Sequence, residues 1–143
     1  MEPKKQPVLA LFYCQGVPGS RENDRQDLEK KYGGRIRLFS LPCSGRLEPV
    51  HLMRALEEFA DAAYIVTCPE GLCRNFEGNK RAFKRVERTR EIISQLGLEK
   101  ERIGIVIGHK DKARSLAEIA SDLFGRIDSL GPSPVLTGTG AER

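Results

Sequence analysis

Apolar residues recur along the chain in two alternating rhythms. Four short runs, residues 8–13, 36–39, 62–67 and 103–107, are rich in Val, Ile, Leu, Phe and Tyr with little polar interruption, the pattern of strands covered on both faces. The second run is the weakest. Elsewhere the spacing changes to three and four. From Pro49, a residue suited to a first helical turn, Leu52, Met53, Leu56, Phe59 and Ala60 recur on one face. A longer helix is expected after Asn79, with Ala82, Phe83, Val86, Ile93 and Leu96 inward and Gly97 as its stop. The clearest stripe is the last: Ala113, Leu116, Ala117, Ala120, Leu123, Phe124 and Ile127. Residues 21–32 carry only Leu28 and Tyr32 as apolar anchors, so a helix there rests on its place in the alternation.

Strands alternating with helices imply βαβ units around a parallel sheet. The expected architecture is α/β: a flavodoxin-like single domain, a four-stranded parallel sheet in the order 2-1-3-4 with helices on both faces, an order that right-handed crossovers make economical. A length of 143 residues fits one domain. Residues 1–7 read as a flexible N-terminus, 8–127 as the domain, and 128–143, rich in Gly, Pro, Ser and Thr, as a flexible C-terminal tail. The apolar runs fall far short of the roughly 20 residues that cross a bilayer, and the opening MEPKKQP lacks the apolar core of a signal peptide. No membrane partner and a cytoplasmic location are expected.

Charge changes this picture little. Twenty-four basic residues against 20 acidic ones leave +4, with the two signs interleaved and no arginine-rich tract or stacking motif, so nucleic acid is not an expected partner.

Cysteine usage changes it more. In a reducing compartment four cysteines favour ligation or catalysis over disulfides. Cys14 follows the first strand, Cys43 lies just beyond the second, Cys68 ends the third and Cys73 comes five residues later. Strand carboxyl ends share one edge of a parallel sheet, where open α/β folds hold ligands. Four soft thiolates select zinc or an iron–sulfur cluster. Only Cys68 and Cys73 are close in sequence, unlike the paired knuckles of structural zinc sites, and a larger cluster accepts ligands from three loops. Gly16, Gly19, Gly45 and Gly71 would let backbone N–H groups approach sulfur. Each cysteine could instead be a small buried hydrophobe. A phosphate-cradling C-x5-R loop fails by one residue, since Ser20 stands where Arg21 would be needed. No P-loop or G-x-G-x-x-G is present, and His51 and His109 suit surface or capping roles.

Several motifs carry a family resemblance: Pro42-Cys43-Ser44-Gly45-Arg46, Cys68-Pro69-Glu70-Gly71-Leu72-Cys73, and Glu77-Gly78-Asn79-Lys80-Arg81-Ala82 followed by Arg85-Val86-Glu87. Over residues 7–127 the chain resembles the delta-subunit family of methyl-viologen-reducing hydrogenase. The resemblance implies an α/β domain with one [2Fe–2S] cluster, held here by Cys14, Cys43, Cys68 and Cys73. It also implies electron transfer between a hydrogenase or formate dehydrogenase and the flavin subunit of heterodisulfide reductase, as a non-catalytic part of an oxidoreductase. Family members commonly open with C-x-x-C after the first strand; here Val17 takes the second position, and no histidine follows Cys68.

Around the cysteines, Arg46 and Arg74 could stabilise a reduced cluster by charge. Lys80, Arg81, Lys84, Arg85 and Arg88 form a basic helical face suited to steering an acidic partner or simply to solvent. Two other readings share the same cysteines: a zinc-stabilised interaction module, and a thiol–disulfide switch using Cys68 and Cys73.

Overall fold

The computed structural model describes residues 7–14, 17, 19–41, 48–67, 78–107 and 115–130, with backbone alone at 49 and 78–80. The chain runs β1 (Leu9–Cys14), α1 (Glu22–Tyr32), β2 (Ile36–Leu41), α2 (Pro49–Glu58), β3 (Ala62–Thr67), α3 (Gly78–Gln95), β4 (Ile103–Ile107) and α4 (Leu116–Ile127). The strands are parallel in the order β2-β1-β3-β4, as the crossover rule requires.

Alternation along each strand sorts the core into two layers. Leu9, Leu11 and Tyr13 of β1 lie with Ile36, Leu38, Tyr64 and Val66 against Leu28 of α1 and the stripe of α4. Ala10, Phe12, Ala63, Ile65 and Ile103 face the other way, against Leu52, Ala55 and Leu56 of α2 and Ala82, Val86 and Ile93 of α3. Helices thus cover both faces, which is why the strands lack polar alternation.

Some details depart from the pattern. β1 extends to Cys14 and β2 to Leu41, so Cys14 belongs to the strand rather than following it. Phe83 is 46% exposed and Leu96 67% exposed, not inward. The buried stripe of α3 is Ala82, Val86, Thr89 and Ile93; Phe83 stands about 100° around the helix from Ala82, and Leu96 follows the last helical residue. Thr89 can be buried because its hydroxyl donates to the Arg85 carbonyl at 2.8 Å. In α4, Ile119 faces the core and Ala117 faces solvent. Ala113 lies outside the described residues.

The amino-terminal edge of the sheet is braced by polar groups, of which Asp61 and Arg102 are buried. Asp61 accepts from the Val8 backbone N–H at 2.7 Å. Arg102 donates to the Asp61 carbonyl at 3.0 Å and to the Leu130 carbonyl at 3.3 Å, and also pairs with Glu99. Arg35 donates to the Pro7 carbonyl at 3.4 Å and pairs with Asp128 at 2.7 Å. Residues 128–130 are therefore tied to the domain. The remainder of the segment expected to form a tail, and residues 1–6, lie outside the described residues.

Candidate functional site

The opposite edge is a row of strand ends. Cys14 of β1 is in register with Leu41 of β2, Tyr13 with Val66 of β3, and Thr67 of β3 with Ile107 of β4. Cys14 is 5% exposed and belongs to the apolar layer that contains Tyr13 and Val17. A turn closes behind it. The Val17 N–H donates to the Cys14 carbonyl at 3.0 Å, and Ser20 Oγ donates to the Val17 carbonyl at 2.6 Å. Gly19 follows at φ +71°, and a Cβ there would stand 3.1 Å from the Cβ of Ser115, so both conformation and space require glycine. Ser115 caps α4 by accepting from the Glu118 N–H at 3.2 Å. Gly19 is thus seated on the start of α4.

One buried donor lies on β1 and another on α1. Tyr13 Oη has no hydrogen-bond partner among the described residues, and neither has Arg25 Nε. Ser40, the register partner of Tyr13 on β2, is near enough to draw its hydroxyl pKa down, though no bond between them meets strict geometry. Burial pushes the Tyr13 hydroxyl above its ordinary pKa, while the charge of Arg25 pulls the other way. The terminal nitrogens of Arg25 turn outward, to Glu22 at 3.6 Å and Glu29 at 4.0 Å.

Of the expected ligands, Cys14 lies at this edge; Cys43, Cys68 and Cys73 lie outside the described residues, as do Gly45, Arg46, Gly71 and Arg74. Among the described residues no group of three or more His, Cys, Asp or Glu is placed to hold a metal. Arg81, Lys84 and Arg88 are exposed on α3, and the Lys80 side chain is not described. Arg85 pairs with Glu48 at 3.5 Å. His51 has the capping role expected of it, accepting from the Glu48 N–H at 3.0 Å. Sequence pattern missed the buried polar atoms of Tyr13 and Arg25, because a tyrosine in an apolar run reads as core and an arginine on a helix reads as solvated. The available signal was the shortage of apolar anchors in α1, where Arg25 takes a place three residues before Leu28.

No described helix is long and apolar enough to cross a membrane. The class defined by fold and site is a parallel α/β domain with a cysteine at the carboxyl edge of its sheet and three more in the segments that follow its strands. Comparison with known proteins makes this particular. The family model for the methyl-viologen-reducing hydrogenase delta subunit matches residues 9–131, and the chain belongs to that family. It is 26% identical over 129 residues to the iron-sulfur subunit of the F420-non-reducing hydrogenase vhu of Methanocaldococcus jannaschii, covering 90% of this chain and 96% of the relative. It is 30% identical over 135 residues to the iron-sulfur subunit of the F420-non-reducing hydrogenase vhc of Methanococcus voltae, covering 94% of each. A third similarity, 24% over 126 residues, is to a long subunit of the ferredoxin/F(420)H(2)-dependent CoB-CoM heterodisulfide reductase of Methanosarcina acetivorans, where 88% of this chain matches 16% of the longer protein.

Proposed function

We propose that the protein is an electron-transfer subunit that carries a [2Fe–2S] cluster on Cys14, Cys43, Cys68 and Cys73. It relays electrons in the cytoplasm between a hydrogenase or formate dehydrogenase and a heterodisulfide-reductase-type flavin subunit. The observation that carries this reading is the carboxyl edge of the sheet. Cys14 is in register with Leu41, Cys43 is the second residue after Leu41, and Cys68 is the next residue after Thr67. The reading therefore asks only short reaches of the chain, since consecutive Cα atoms are about 3.8 Å apart. The donor chemistry fits as well: four thiolates are the number such a cluster takes. When bound, the cluster supplies one-electron chemistry at a potential set by its surroundings.

The chain's own residues then have distinct tasks. The hydrogen bond from the Val17 N–H to the Cys14 carbonyl would steady the first thiolate at the end of a buried strand. Val17 fills the layer beside it. Gly45 and Gly71 would admit backbone N–H groups to sulfur, and Arg46 and Arg74 would offset negative charge. The exposed cations Arg81 and Lys84, with Lys80, would steer an acidic partner toward the carboxyl edge, where α3 begins. A partner relation to heterodisulfide reductase is supported by the similarity to a segment of one of its subunits.

The test is iron and acid-labile sulfide analysis of anaerobically purified protein. About two irons and two sulfides per chain are expected. Stoichiometric zinc would replace the reading with a zinc-stabilised interaction module, and a reversible Cys68 to Cys73 disulfide in metal-free, active protein would replace it with a thiol switch.

A further inference from the structure

Strand β2 has one neighbour. Its residues pair with β1 without interruption, from Ile36 opposite Leu9 to Leu41 opposite Cys14, and among the described residues no strand lies on its other side. A groove of about 410 Å³ follows that free edge, walled by Glu29, Gly33 and Gly34 at the end of α1 and by Arg37, Leu38 and Phe39 of the strand. Where a Cβ would stand at either glycine, nothing lies within 4 Å, so this wall leaves room for a further chain. A free edge presents unpaired N–H and C=O groups and takes up another strand unless something blunts it. The usual devices are missing here. Ile36–Leu41 contains no proline and its register no bulge, and its one charge, Arg37, is drawn over the ring of Phe59 at 5.7 Å.

Side chains along the edge narrow what the occupant is. Arg37 and Phe39 are two residues apart and so stand on the same face of the strand. Phe39 stacks on Phe12 at 4.9 Å and lies 6.0 Å from Phe59, yet it remains 37% exposed. When a strand pairs antiparallel with its own copy about Leu38, residue 37 of each chain falls opposite residue 39 of the other. Cβ atoms opposed in this way are about 4.5–5.5 Å apart, within reach of a guanidinium on an aromatic face. The contact then forms twice, once for each chain, as two-fold symmetry demands. An acidic strand would have to pass Glu29, and a basic one Arg37. A second copy brings both the aromatic ring that Arg37 accepts and the cation that suits Phe39.

We propose that β2 is a self-association edge, on which two copies of the chain join antiparallel about Leu38 and merge two four-stranded sheets into one. A two-fold axis normal to the sheet reverses the strand direction. The carboxyl edges of the two copies, each with its Cys14, therefore point to opposite ends of the dimer, and both stay open. The proposal does not depend on what the cysteines bind.

The test is sedimentation equilibrium of the full-length protein over a concentration series, with amide hydrogen exchange read along β2 at both ends of that series. Wild type is expected to dimerise reversibly and weakly, as suits an interface built on one short strand, and residues 36–41 to exchange more slowly in the dimer. Arg37→Glu removes both cation–aromatic contacts from an exposed place and should raise the dissociation constant about tenfold, the combined worth of two such contacts. Arg37→Lys keeps the cation and should fall between the two. Wild-type protein that stays monomeric throughout, an Arg37→Glu dimer as tight as wild type, or slowed exchange on β4 in place of β2 would each overturn the proposal. So would β2 amides that gain protection only when a different polypeptide is added.

Discussion

Arg102 and Glu99 form a two-pronged pair at the amino-terminal edge of the sheet, Nε to Oε1 at 2.9 Å and Nη2 to Oε2 at 3.1 Å. The guanidinium is almost wholly buried, and its remaining donors go to the carbonyls of Asp61 and Leu130. One side chain thereby joins the start of β3, the turn before β4 and the end of α4.

Replacing Arg102 by Leu should destabilise the fold by about 3 kcal/mol, because two carbonyls and a carboxylate lose their donor together. Arg102→Lys should recover little, since one ammonium cannot serve three directions. Thermal unfolding monitored by circular dichroism measures both; equal melting temperatures for Arg102→Leu and wild type would show the brace to be idle.

Glu99 gives the pair a pH dependence. The hydrogen bond from Arg102 holds its carboxyl below the ordinary carboxylate pKa, against a smaller opposing effect of burial. A lowered folded-state pKa means that the contribution is present above the unfolded value and is lost as pH falls through the folded one. Glu99 is partly exposed, 42% for its side chain, so solvent screening keeps the effect small. Stability should fall on acidification below about pH 4.5, near the ordinary carboxylate pKa, and less steeply in Glu99→Gln. Parallel slopes in urea melts of the two proteins across this range would count against it.

Truncation should divide sharply at the end of α4. Ending the chain after Leu130 retains the Arg35 to Asp128 pair and the Leu130 carbonyl that Arg102 grips, and the melting temperature should hold. Ending it after Ile127 removes both and should lower the melting temperature by several degrees, as a loss of roughly 1–2 kcal/mol does in a domain of this size. A large fall on the shorter truncation would reveal packing by Val135 and Leu136.

The role of Cys14 can be separated from that of Val17. Cys14→Ser should lose most bound iron, because a hydroxyl is a harder and far less acidic donor than a thiol. Val17→Cys restores the family's spacing at a buried place of similar size, and iron content should change little. Retention of the wild-type spectrum in Cys14→Ser would make Cys14 a core residue, as its burial in an apolar layer would also allow.

Most of the fold was legible because burial on both sides leaves strands such as Leu9–Cys14 and Ala62–Thr67 without polar interruption, and handed crossovers then fix the order. Helix α1 was weakly legible for a physical reason: Arg25 holds one of its inward places. Phe83 and Leu96 were misplaced because composition suggests burial but angle and helix end decide it. At the site, strand ends placed Cys14 correctly to within one residue. The buried polar atoms of Tyr13 and Arg25 left no trace in pattern, since burial without a partner is decided by packing. Arg102 was likewise silent: an arginine before a strand gives no sign that a carboxylate and two carbonyls will converge on it.

Arg35 holds the Pro7 carbonyl and the Asp128 carboxylate with one guanidinium, so the chain enters and leaves the domain at neighbouring points, on the edge away from Cys14. Such a unit can be spliced into a larger polypeptide as a cassette, the joins falling on the edge away from Cys14. A stretch of a heterodisulfide reductase polypeptide resembling this chain in sequence is what that geometry permits: a module joined at one edge, with the edge that holds Cys14 left as it was.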